Sequence, residues 1–274
     1  MLTDWDDAYV NAAYIPDGDQ YPARWPVAAA AFRAGLAPDE FREGLAYGPH
    51  PRERVDLFLP GARPEGLVVY VHGGYWKAFD RGDWSHLAGG LMARGWAVAL
   101  VGYPLAPEVR ISGITRSVTA AAVAAAAAVP AGPLHIAGHS AGGHLAARLV
   151  CDDSGLPDSA RARLGRVLAI SGLHDLRPLM RTAMNEIFRL DAAEAAAESP
   201  ALRAPLPGVK VHAWVGDLER PEFVRQTTLI ANVWTGLGAD MAQTIEPGRH
   251  HFDVIEALTD PGSALVAALV GEAR

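Results

Sequence analysis

The chain is 274 residues long, 50% apolar and 20% charged, with 28 Gly, 20 Pro, one Cys and a formal net charge of -7. That composition excludes a disordered chain, a collagen-like fibre, a coiled coil and a disulfide scaffold, and it suits one large globular domain or two small ones. A mildly acidic chain without a basic block has nothing to neutralise a phosphate backbone or an anionic bilayer, so neither nucleic acid nor membrane is expected as a partner.

The N-terminal MLTDWDDAYV is acidic and lacks the positive flank and apolar centre of a signal peptide. No apolar run reaches the roughly 18 residues of a spanning helix. With the lone Cys151, which can form no intramolecular disulfide, these features point to the cytoplasm. Residues 1-46 read as irregular, with Trp5, Tyr9, Tyr14, Tyr21 and Trp25 interleaved with Asp, Pro and Ala. They are expected to cover the body of the protein, either as a lid over a pocket or as a fixed staple.

From residue 54 the pattern becomes short apolar runs, at 54-59, 67-71, 97-101, 134-138, 167-171, 209-215 and 242-245. Runs this apolar are buried on both faces, as in parallel sheets covered by helices. Between them, 83-93, the Ala-rich 116-128, 141-151, 221-236 and 263-271 read as helices. The alternation predicts an α/β fold with a mostly parallel, doubly wound sheet and helices on both faces. No repeat or long polar linker divides residues 1-274, so one domain is expected, with 174-208 as an insertion between two strands.

Gly138-His139-Ser140-Ala141-Gly142 follows the run 134-138 and opens a helical pattern. This is the strand-turn-helix setting in which G-x-S-x-G holds a serine hydroxyl at the carboxyl edge of a sheet, with the N–H of Ala141 beside it. His139 and His144 flank that serine, but five residues is about 140° around a helix, so they do not converge on a metal from one face. Neither metal nor cofactor is expected. His72-Gly73-Gly74 closes the run 67-71, and paired glycines let backbone amides approach an oxyanion, so Gly73 and Gly74 are expected to join Ala141. A serine nucleophile needs a base and an acid in later loops. His250 and His251 are adjacent after the last strand, and Asp217 and Glu219 both follow the run 209-215, which leaves two choices for each role.

These segments together resemble the α/β-hydrolase fold, in its branch of hormone-sensitive-lipase-like esterases. Gly102-Tyr103-Pro104-Leu105-Ala106-Pro107-Glu108 is similar to that branch's Y-R-L-A-P-E, with proline in place of arginine. Tyr75-Trp76 after the glycines resembles the serine-dependent kynurenine formamidases, as do Ser171 to Leu179, Pro221 to Gln226 and the Tyr9 to Arg24 region. The resemblance runs from residue 9 to about 257. It implies His251 as base, because the family's histidine stands immediately before a phenylalanine, and Glu219 as acid, two residues before the Pro-Glu-Phe run.

The implied reaction is hydrolysis of N-formyl-L-kynurenine to kynurenine and formate through an acyl-enzyme. Tyr75 and Trp76 are expected either to meet a flat aryl leaving group or to pack under the N-terminal segment. The alternatives are a carboxylesterase for short-chain acyl or aryl esters and a non-catalytic ligand-binding protein on the same fold. The H-x-G-T-H-x-D-x-P-x-H string of metal-dependent formamidases does not occur. The substrate is a small molecule in either catalytic case, and a homodimer is left open.

Overall fold

The structure, a computed structural model, describes residues 4-272. The first three residues of the expected covering segment lie outside the described residues. Eight strands form one sheet: β1 (Phe41–Ala46), β2 (Arg54–Phe58), β3 (Leu67–Val71), β4 (Ala97–Val101), β5 (Leu134–His139), β6 (Leu164–Ile170), β7 (Lys210–Gly216) and β8 (Asp240–Glu246). Their order is β1-β2-β4-β3-β5-β6-β7-β8, with β2 antiparallel to both β1 and β4 and every pair from β4 to β8 parallel.

Every residue of β3, β4 and β5 is buried, which is why these runs are apolar without alternation. Side chains still alternate between faces. Val69, Val71 and Ile136 pack with the helices Ile111–Ala128, Ala141–Arg148 and Pro221–Gly236, while Val68, Tyr70 and Ala137 pack with Tyr21–Ala34, Gly89–Ala93 and Ala264–Val270. The first strand was not legible in the sequence because FREGLA has the exposed character of a sheet edge.

Two sequence expectations need correction. The helix Ile111–Ala128 starts well before residue 116, has 18 residues and a mean hydropathy of 1.3, and so is long and apolar enough to cross a membrane. Half of it is buried inside the protein, with Ile114, Val118, Ala121 and Ala125 wholly enclosed, so its apolar character serves the core. Nor are residues 4-46 irregular. They contain the 14-residue helix Tyr21–Ala34 as well as the short helix Trp5–Tyr9. Pro22 and Pro26 hid the longer helix. Pro22 stands at its start, where a missing amide costs little, and the buried Trp25 and Ala29 hold the next turn in spite of Pro26.

Between β6 and β7 the chain forms short helical segments at Arg177–Arg181, Asn185–Phe188, Ala192–Ala197 and Pro200–Leu202. The shared network of Arg110 with Glu194 and Asp191 ties this stretch to the start of the Ile111–Ala128 helix.

Candidate active site

The turn between β5 and the helix Ala141–Arg148 is built from residues without room for side chains. A Cβ on Gly138 would stand 2.1 Å from the carbonyl oxygen of Gly142, and one on Gly142 would stand 1.9 Å from that of Val71. Ser140 itself adopts φ 56° and ψ -118°, a strained conformation for a residue with a side chain. Its amide donates to the carbonyl of Ile170 at 2.8 Å, and its carbonyl accepts from His144 at 3.0 Å, so both neighbours over-determine the strain.

The loop after β3 lies against this turn. A Cβ on Gly73 would be 3.1 Å from both the Ser140 Cβ and the His139 carbonyl oxygen. Gly74 has φ +106°, and its carbonyl accepts from Lys77 and Ala78 at 3.0 Å each, which closes a tight turn. Among the described residues no group accepts a hydrogen bond from the amides of Gly73, Gly74 or Ala141. Ala141 is the first residue of its helix, where the free amides and the helix dipole favour negative charge.

The loops after β7 and β8 are joined by backbone bonds, from Asp217 N–H to the Glu246 carbonyl at 2.9 Å and from Leu218 N–H to the Arg249 carbonyl at 3.0 Å. That stitching brings Glu219 Oε2 to 2.5 Å from His251 Nδ1. The other carboxylate oxygen accepts from Ser171 Oγ at 2.6 Å and from Gly216 N–H at 2.9 Å. The Glu219 side chain is wholly buried, so these donors stabilise a charge that water cannot reach. Asp217 is exposed and accepts only from the Gly248 amide at 2.7 Å, which makes it a turn residue. His250 is engaged elsewhere: its Nδ1 accepts from the amides of Phe252 and Asp253 at 3.2 Å each, which leaves Nε2–H to donate to the Tyr21 hydroxyl at 3.3 Å.

Ser140 and His251 line one cavity of about 330 Å³ together with Gly73 and Gly74. Ser140 Oγ makes no hydrogen bond among the described residues, and the bond between a nucleophile and its base often tightens only when substrate binds. His139 also lines the cavity, its ring 4.6 Å from that of His251, and burial holds its pKa well below the usual histidine range. It therefore stays neutral beside the His251 ring. His144 is a separate buried residue, its Nε2 2.7 Å from the Glu198 carbonyl, with its pKa lowered to about 3 by burial.

The remaining walls are aromatic. Trp25 packs against Trp84, Phe79 and Phe252 at centroid separations of 4.6, 5.4 and 5.3 Å. Tyr75 also lines the cavity, with its hydroxyl donating to the Tyr9 carbonyl at 2.6 Å. Trp76 does not. Expected with Tyr75 either to meet an aryl group or to pack under the N-terminal segment, it is fully buried in the core against His144 and Phe188.

Sequence reasoning gave no role to Ser171, Phe252 or Lys77. Ser171 had a signal, since it follows β6, next to the strand that leads to Ser140. The aromatic wall had none, because it assembles from segments far apart in the chain.

Comparison with known proteins places this geometry among relatives. A family described as having the alpha/beta hydrolase fold matches residues 68–204. A kynurenine formamidase of Danio rerio is 30% identical over 237 residues, covering 82% of this chain and 80% of the relative. A crystal structure from Silicibacter sp. TM1040, of a protein named as a candidate thioesterase, is 49% identical with a TM-score of 0.92 and covers 97% of this chain and 98% of that one. A thermostable carboxylesterase cloned from a metagenomic library shares the fold at 19% identity and a TM-score of 0.71, covering 92% of this chain and 96% of that one.

Proposed function

The chain belongs to the kynurenine formamidase family of α/β hydrolases, and from that premise we propose that it cleaves the formamide of N-formyl-L-kynurenine to kynurenine and formate through an acyl-enzyme on Ser140. The observation that most supports the catalytic roles is the buried pair of Glu219 and His251, 2.5 Å apart on a cavity that also contains Ser140. Glu219 fixes the imidazole with Nδ1–H toward the carboxylate, so Nε2 is free to take the Ser140 proton as Oγ attacks the formyl carbon. The amides of Gly73, Gly74 and Ala141 receive the oxyanion. His251 then returns the proton to the departing aryl nitrogen, and the same imidazole deprotonates the water that releases formate from Ser140.

Residues 1-274 act in this reading as one hydrolase domain, with the N-terminal segment as a fixed cover rather than a moving lid. Tyr9 supports that choice. It is 2% exposed and its hydroxyl donates to the buried Glu222 at 2.9 Å. The lone cysteine, buried at position 151, fits a reducing cytoplasmic setting.

A second reading, hydrolysis of short-chain aryl or acyl esters or of thioesters, is favoured by the 49% identical Silicibacter chain named as a candidate thioesterase. Liquid-chromatography assay of the purified protein on N-formyl-L-kynurenine, in parallel with a p-nitrophenyl acetate series, separates the two. The formamide is expected to have the higher kcat/KM. A value far below that of the esters would transfer the assignment to the second reading.

A further inference from the structure

The cavity holds one charged side chain that the hydrolytic steps leave unused. Lys77 lines it, and Lys77 N–H donates to the Gly74 carbonyl at 3.0 Å, so its backbone belongs to the same turn that presents the Gly73 and Gly74 amides. Gly74, Tyr75 and Trp76 all have positive φ, which fixes where that turn directs the next residue. Lys77 is exposed to solvent while lining the cavity. Among the described residues no carboxylate pairs with it, and no Asp or Glu lines the cavity. The walls next to it are Trp25, Tyr75, Phe79, Trp84 and Phe252.

An uncompensated ammonium on a chain of net charge -7, lining an aromatic cavity, has a defined chemical complement. It is a carboxylate carried by a flat aryl group. The aromatic walls receive the ring, and the ammonium is a flexible point charge on a four-carbon stem that can reach a carboxylate carried by it.

We propose that Lys77 is a specificity-determining residue that binds a carboxylate carried by the aryl acyl substrate, distant from the bond that Ser140 cleaves. The assignment rests on the hydrolase reading above and deepens it. The enzyme prefers carboxylated aryl formamides or esters to neutral ones of the same reactivity.

The test compares two matched pairs of substrates on the wild type, Lys77→Met and Lys77→Arg. N-formyl-L-kynurenine is set against 2-formamidoacetophenone, which keeps the formanilide and ketone but lacks the amino-acid group. 4-Acetoxybenzoate is set against phenyl acetate. For each pair the ratio of kcat/KM, with the carboxylate over without it, is expected to fall about 10- to 100-fold in Lys77→Met, mainly through KM, as the loss of one charge-assisted hydrogen bond implies. Lys77→Arg should recover most of it.

A ratio unchanged in Lys77→Met would overturn the proposal, as would equal losses on both members of a pair. Failure of the wild type on both formamides would overturn the formamidase reading alone, because the ester pair still reports on Lys77.

Discussion

On one side of the cavity Ser140, Gly73, Glu219 and His251 sit on loops at the carboxyl ends of β3, β5, β7 and β8, held by backbone bonds to neighbouring strands. On the other side Trp25, Trp84, Phe79 and Phe252 meet through ring packing, drawn from segments separated by up to the length of the domain. The first wall is positioned by sheet geometry and tolerates little change in any residue, since a turn such as the one at Ser140 has no space to relax. The second is positioned by burial, so altering it should move stability and substrate fit before it moves the chemistry.

The largest separation between the two walls is expected from Ser140→Ala. It should lower kcat by at least about 10⁴-fold while the thermal unfolding midpoint stays near that of the wild type. A residual activity within tenfold of wild type would remove the nucleophile from the account. Glu219→Gln should lower kcat by about 10³- to 10⁴-fold through loss of the imidazole tautomer, whereas Asp217→Asn should stay within about threefold. Equal effects would mean that the buried carboxylate has no special role.

Trp25→Ala tests the other wall. Removal of a side chain that is 5% exposed and touches four aromatic rings should lower the unfolding free energy by about 3 to 5 kcal/mol in urea titration, with kcat affected far less than by Ser140→Ala.

Buried histidines make a further difference in pH dependence. Burial lowers the pKa of His72 to about 4 and of His144 and His174 to about 3, against an ordinary 6.5. A depressed folded-state pKa gives stability that is complete above pH 6.5 and is lost as pH falls, because only the unfolded chain takes up the protons. Each such histidine should remove about 1.4 kcal/mol per pH unit below that point. Urea titrations at pH 7 and pH 5 check it, and equal stabilities at the two would contradict the neutral burial of these rings.

The smallest effect is expected at His250, which bonds Tyr21 and the loop after β8. His250→Ala loses the Tyr21 contact and the acceptor for two amides, at about 1 to 2 kcal/mol of stability, while His251→Ala should fall in kcat as Glu219→Gln does. Comparable kinetic losses from the two would leave the base unassigned.

The same contrast decides what was legible in the sequence. Gly138 to Gly142 and His72 to Gly74 are local patterns whose meaning is steric, and the apolar runs of β3 to β7 declare their own burial. His251 and Glu219 could be chosen from their neighbours only by resemblance, since reach across two loops depends on the backbone bonds between Leu218 and Arg249. The aromatic wall was hidden for a different reason. Trp25 gains its role from a helix that Pro22 and Pro26 disguise, and Trp76 packs in the core against His144 and Phe188, contacts that no local pattern announces.

The central claim is that Ser140 is activated by the Glu219–His251 pair. Quenched mass spectrometry of the folded wild type after exposure to a fluorophosphonate tests it most directly. The expected result is one adduct per chain on the peptide containing Ser140, formed far more slowly in His251→Ala and Glu219→Gln. No adduct on folded protein, or an adduct at another residue with Ser140 unmodified, would contradict the account.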